Sequence, residues 1–308
     1  MFAEPESISL ASVLEWDCWR VLAYFSYFKY PLTAFEVWKW LYMPEGQWTL
    51  AEVVEVLQNS SWLNERVSSK NGFYALGIDV EEQLKDRQLR LHDALRKYGV
   101  LTPVLKYLGR LPFVEGVFVC NSLAWHHTNA ESDIDLFIVT KPGRTWTVRL
   151  LAAGMMALLR KRPGEAKIDP VCCSFFVDGD HLDLASLKID EQDPYLAFWL
   201  ATLVPMVDRK GIANRLRVMN RWVDEVLPNA KGVVRASRWL PKQMRAWPLL
   251  MINEGKARVI QEKRFTKVIK EMKNVDTRVV VNDSMLKFHE NDRRAEIIQA
   301  LADNLCAS

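Results

Sequence analysis

GVFVCNSLAWHHTNAESDIDLFIVT, residues 116–140, decides how the rest of the chain is read. Two buried strands are predicted, Gly116 to Cys120 and Asp133 to Val139, each built on an apolar run and separated by a polar loop. Aspartate is a poor strand former, so Asp133 and Asp135 at the start of the second run call for an explanation. Alternation points both carboxylates to one face of the sheet and Ile134 to the other. Adjacent carboxylates repel unless something positive lies between them, and a hard divalent ion such as Mg2+ or Mn2+ meets that need. In phosphoryl and nucleotidyl transfer such ions neutralise the leaving phosphates and ready the attacking oxygen. The plain alternative for an isolated D-x-D is a solvated strand-end acid beside a turn cap.

Downstream, TWTVRLLAAGMMALLRK (Thr145 to Lys161) predicts an amphipathic helix and DPVCCSFFV a third strand, which together with the first two make a small α/β core. The acid nearest the start of that third strand is Asp169, whose backbone is expected to be extended because Pro170 follows it. Cys172 and Cys173 read as small buried apolar residues. Lys141-Pro142-Gly143-Arg144, directly after the second strand, reads either as a basic turn in reach of phosphates or as an ordinary Pro-Gly turn.

The stretch from Gly116 to Thr140 resembles the nucleotide-binding motif of the polymerase-β-like nucleotidyltransferase superfamily, which places Gly-Ser at the end of a first strand about a dozen residues before the D-x-D of a second. Asn121-Ser122 stands at the Gly-Ser position; asparagine is among the few non-glycine residues that readily enter the left-handed region. The family's Arg and Gly a few residues later are Trp125 and His126 here. The resemblance implies that Asp133 and Asp135 bind metal, that Asn121 and Ser122 contact the nucleotide, and that Asp169 is the third ligand or general base. It implies Mg2+ or Mn2+ as cofactor and an NTP as substrate. The activity would be metal-dependent transfer of a nucleoside monophosphate to an acceptor hydroxyl of RNA, protein or a small molecule. A catalytically inactive nucleotide-binding or regulatory module is the first alternative. A winged-helix DNA-binding regulator is the second.

That second alternative comes from the N-terminal third of the chain. Helices are predicted from Ser12, from Thr33 and from Thr49, the last with a Thr49/Glu52 capping box. Lys70-Asn71-Gly72 then predicts a tight hairpin. Three helices and a hairpin form a winged-helix pattern, but the third helix carries Glu52 and Glu55 and no Lys or Arg, which favours packing over reading DNA. An exposed connecting helix from Val80 to Tyr98 and another from Thr102 to Leu111 follow.

Beyond Asp190 the chain reads as mostly helical, starting at the Asp193-Pro194 cap. A polar cluster at His289, Asn291, Asp292 and Arg293 suggests no particular chemistry. The expected fold is α+β: a small mixed-sheet nucleotidyltransferase-like core at 101–190, a winged-helix-like domain with its connecting helix at 1–100, and a mostly helical region at 191–308.

The net charge of +3 does not announce a nucleic-acid binder, yet residues 231–273 hold twelve Lys or Arg against three acids and offer a local route to a polyanion. No apolar run reaches the roughly twenty residues a bilayer asks for, so no membrane partner is expected. Five cysteines without metal-type spacing suggest reduced thiols. The acidic opening, MFAEPESISL, is unlike a leader sequence, and a cytoplasmic setting is expected.

Overall fold

Three capping boxes begin the helices of the N-terminal unit. Ser12/Glu15 starts α1 (Val13–Ser26), Thr33/Glu36 starts α2 (Ala34–Lys39), and Thr49/Glu52 starts α3 (Leu50–Asn59). Each cap satisfies amides the first turn leaves unpaired, worth about 1 kcal/mol. A short α4 (Ser61–Asn64) follows. Together these belong to a computed structural model that describes residues 12–77, 79–166, 168–230, 246–247 and 252–306. Asn71 and Gly72, at φ 53° and 77°, turn β2 (Val67–Lys70) back into β3 (Phe73–Leu76), as Asn-Gly predicts. A two-residue β1 (Leu32–Thr33) completes a small antiparallel sheet in the order β1-β3-β2.

The connecting segment is one helix rather than two: α5 runs unbroken over Val80–Leu108 with Pro103 inside it. An internal proline costs about 3 kcal/mol, but Tyr98, Leu101, Val104, Leu105 and Leu108, each 2% exposed or less, bury far more than that against the main sheet.

The main sheet has six strands in the order β7-β4-β5-β6-β9-β8. Its centre is β4 (Val114–Val119), β5 (Ile134–Thr140) and β6 (Val171–Asp178), with a short α6 (Asn121–Ala124) after β4 and α7 (Thr145–Leu158) between β5 and β6. The α7 crossover makes β5 and β6 parallel, and every other pairing is antiparallel.

The region beyond 190, expected as mostly helical, contributes half of that sheet. Asp193 caps α8 (Pro194–Thr202) as predicted, but the apolar run continues as β7 (Val204–Asp208), not as helix. Pro205 cannot donate within a helix, and on the sheet edge it has no need to. After it, α9 (Ile212–Met219) and α10 (Trp222–Val226) are separated at Asn220. There the Asn220 amide accepts from Leu184 N and donates to Leu182 O. Then come α11 (Glu254–Lys263), α12 (Lys267–Met272), the hairpin of β8 (Val279–Val281) and β9 (Met285–Phe288), and α13 (Arg294–Cys306).

One face of the sheet packs under α5, α7 and α11 through Tyr98, Leu105, Trp146, Met156 and Ala257. The other packs under α8 and α9 through Phe137, Phe175, Trp199 and Ile212. The N-terminal core is shared with the end of the chain, since Ile297, Leu301 and Leu305 of α13 and Phe198 of α8 lie within it. The chain is thus α+β with mixed sheets, and its first and last helices pack together. Among the described residues, no helix is long and apolar enough to cross a membrane.

Candidate functional site

A cleft of about 820 Å³ opens where the N-terminal unit, the start of β5 and the α13 end of the chain meet. That size lies within the roughly 300–1,000 Å³ usual for small-molecule sites. Asn121, Ser122, Asp133 and Asp135 all line it. A second hollow of about 100 Å³, beside Phe118 and Leu216, contains none of them.

Asp133 ends the loop and Asp135 is the second residue of β5; both remain half-buried at the cleft floor. Loss of solvent pushes the Asp135 carboxyl up to about 6, and the neighbouring Asp133 charge adds to the rise. Hydrogen bonds from Asn121 and Cys172 and the charge of Lys97 offset part of it. Asp133 is also raised by desolvation and eased by Lys97. Two carboxylates in one partly dry cleft, each strained toward neutrality, fit a hard divalent ion that would relieve both. The ion would need water or ligand oxygens as well, because no group of three or more His, Cys, Asp or Glu is arranged to hold one among the described residues.

Asn121 has φ 54°, the left-handed conformation that glycine would adopt without cost. Its side chain is committed: Oδ1 accepts from the Trp199 indole at 2.9 Å, and the amide also hydrogen-bonds Asp135. Asn121 therefore orients an acid as well as turning the chain. Ser122 faces the cleft beside it.

The loop from Trp125 to Ser132 is tied down at both ends. Trp125 packs on the rings of Phe25, Phe28 and Tyr30, which explains an indole in this loop: it docks the loop on the N-terminal unit. His127 Nε2 lies 3.1 Å from Phe28 O, and burial pushes its pKa down to about 4. At the other end Lys97, with no solvent exposure, donates to the carbonyls of Asn129, at 2.7 Å, and Ser132. Its ammonium also lies 3.6 Å from Asp93 and 3.8 Å from Asp169.

Asp169 is the main correction. Expected to be extended and to serve as third ligand or base, it has φ 50°, is 2% exposed and does not line the cleft. Arg96 holds it through two bonds of 2.6 and 2.7 Å and keeps its carboxyl below the usual range. Arg96 also bonds Asp93 at 2.8 Å, and Asp93 accepts from Thr128 at 2.8 Å. The four charges Asp93, Arg96, Lys97 and Asp169 form a strut from α5 to the loop and to the start of β6. Of the two readings of the turn at Lys141 to Arg144, the ordinary Pro-Gly turn fits. It lies at the opposite end of β5, about 20 Å from Asp135 at strand rise, and Arg144 stacks on Phe113.

The residue that β6 sets opposite Asp135 is Cys172. The register slips after this pair, and both Cys172 and Ser174 line the cleft. Ser174 Oγ lies 3.2 Å from His289 Nε2. From the far wall come Lys287, whose pKa burial lowers to about 8, and Asp292 and Arg294, which are paired at 2.8 Å. Sequence reading missed Lys97 inside a helix taken as exposed, although the apolar spacing of Ala94, Tyr98 and Leu101 places it next to a buried face. It named the His289 to Arg293 cluster without a role because only the β9 to β6 pairing carries it to the aspartates.

In the basic segment, residues 231–245 and 248–251 lie outside the described residues. Arg258 and Lys273 there pair with Glu262, and Lys267 pairs with Glu271. No family model, no curated protein and no solved structure matches this chain.

Proposed function

We propose that the cleft binds a nucleoside triphosphate together with Mg2+ or Mn2+ and transfers the nucleoside monophosphate to an acceptor hydroxyl, in the manner of polymerase-β-like nucleotidyltransferases. The observation that carries this reading is the convergence of Asp133, Asp135 and Ser122, with Asn121 left-handed, on one cleft of suitable size. A bound metal would neutralise the triphosphate and lower the pKa of the attacking oxygen. Asp133 and Asp135 would hold it through carboxylate oxygens, and Ser122 would donate to a phosphate. The cation missing from a loop that carries Trp125 and His126 is available from Arg90, Lys287 and Arg293, which line the same cleft. Tyr27, Phe28 and Trp199 supply apolar and aromatic walls. The N-terminal helices and hairpin fit a winged-helix-like unit, and exposed Glu55 on α3 supports a packing rather than a DNA-reading role.

A second reading, a module that binds nucleotide without turnover, is favoured by one observation: β6 sets Cys172, not a carboxylate, opposite Asp135. Labelled NTPs with Mg2+ or Mn2+ separate the two. Pyrophosphate release that disappears in the Asp133→Ala, Asp135→Ala double variant supports transfer. Release that survives in it removes the site. Binding without release selects the second reading.

A further inference from the structure

We infer that Ser174 on β6 and His289, directly after β9, stand in for a third carboxylate and together take the proton from the acceptor hydroxyl. The inference rests on reading the cleft as a nucleotidyl-transfer site. A general base must lie within hydrogen-bond reach of its proton and on the side of the metal-binding acids. Among the cleft-lining acids other than the aspartate pair, Asp292 is held by Arg294 at 2.8 Å and lies 3.6 Å from Lys287, and Glu290 is exposed at the rim. Asp169 is spent on Arg96. Burial pushes the Cys172 thiol far up, so it stays protonated.

What remains is continuous. β6 sets Cys172 opposite Asp135, Ser174 lines the same cleft two residues further on, and Ser174 Oγ lies 3.2 Å from His289 Nε2. The imidazole is fixed from several sides. Its backbone amide donates to Arg278 O, and Phe175 stands edge-on to the ring at 6.1 Å. Lys287, Asp292 and Arg294 are the charged groups that act on it. Burial, followed by the Lys287 charge, pushes its pKa down to about 3, so the ring is neutral at neutral pH, and with its proton on Nδ1 it presents the Nε2 lone pair to Ser174 Oγ. A polyanionic triphosphate entering the cleft raises that value and strengthens the base.

The step balances. The acceptor O–H bond breaks, and its proton reaches His289 Nε2 directly or through Ser174, which gives up one proton as it takes another. The freed electron pair forms the bond from oxygen to the α-phosphorus. The bond from that phosphorus to the bridging oxygen breaks, and pyrophosphate leaves with the electrons. With water as acceptor, the products are the nucleoside monophosphate and pyrophosphate.

The test uses the full chain, each of the four NTPs, Mn2+, and water as acceptor. Pyrophosphate release is measured for wild type, His289→Gln and Ser174→Ala, and NTP affinity is measured by tryptophan quenching. We expect kcat to fall by about 100-fold or more in His289→Gln, the usual contribution of a general base, with NTP Kd within about threefold of wild type. We also expect kcat of the wild type to rise with pH along a limb that the variant lacks. Ser174→Ala, which removes one oxygen, should lower kcat about tenfold and decides the matter if His289→Gln does not fold. Turnover that both folded variants retain overturns the inference. So does a wild type that binds NTP and Mn2+ without releasing pyrophosphate, an outcome that leaves the binding site standing. A wild type that binds no NTP removes the site and the inference together.

Discussion

Replacing Lys97 by Met removes a buried cation that joins α5 to the loop delivering Asp133. Lys97 has no solvent exposure and makes two bonds to main-chain carbonyls, Asn129 O and Ser132 O. Ser132 O loses its donor, at about 1–3 kcal/mol, while Asn129 O keeps the Ser132 amide and loses a bond to a charged group worth about 1.5–3, so the two carbonyls contribute roughly 3–6. The carboxylates are not orphaned. Asp169 keeps both bonds to Arg96, and Asp93 keeps Arg96 and Thr128. The full 3–5 kcal/mol penalty of a broken buried pair therefore does not apply. Burial of the methionine side chain returns about 1–2 kcal/mol. The expected net loss is about 3 kcal/mol, measured by urea unfolding followed through tryptophan fluorescence. Hydrogen exchange should accelerate at the amides of Asn129 to Ser132. Lys97→Arg, which keeps the charge, should lose less. A Lys97→Met protein within about 1 kcal/mol of wild type, with its loop amides still protected, would refute the strut.

Other perturbations test the remaining links. Asp169→Asn should destabilise by about 2–3 kcal/mol through its weakened bond to Arg96 while leaving Mn2+ affinity unchanged; a tenfold loss of Mn2+ affinity in the folded variant would restore it to the metal site. Asn121→Ala combines a left-handed backbone with the loss of the Trp199 and Asp135 bonds and should cost about 2 kcal/mol, whereas Asn121→Gly should cost less, and equal costs would exclude the backbone part. Acidification should also weaken the fold. His127 and His289 have folded pKa values of about 4 and 3, below the usual 6.5, so the unfolded chain binds more protons and stability is lost as pH falls from about 6.5 toward those values. Between pH 7 and 5 each contributes at most about 2 kcal/mol of loss, and Asp135, raised to about 6, offsets roughly 1 in the opposite sense. His127→Gln should flatten this slope by up to about two-thirds; an unchanged slope would show that His127 does not titrate with folding.

Local chemistry made much of the chain legible in its sequence. The N-cap at Thr33, the capping box at Thr49, the Asn71-Gly72 turn and the Asp193-Pro194 start act within a few residues, and the structure has them where the sequence puts them. The strand carrying Asp135 was likewise readable from its apolar run, and the left-handed Asn121 was implied by the resemblance that sets it at a Gly-Ser position. The rest depended on partners remote in sequence. Pro205 begins a sheet edge only because β4 offers it unpaired neighbours, and Pro103 stays helical only because the sheet buries its turn. Asp169 had the right residue type and interval for a metal ligand, but Arg96, 73 positions earlier, claimed it. His289 had no reading at all until β9 paired with β6 and brought it 3.2 Å from Ser174. Short-range hydrogen bonds and periodicity are written in adjacent residues, whereas competition among charges for a partner is settled only when distant segments share one desolvated space.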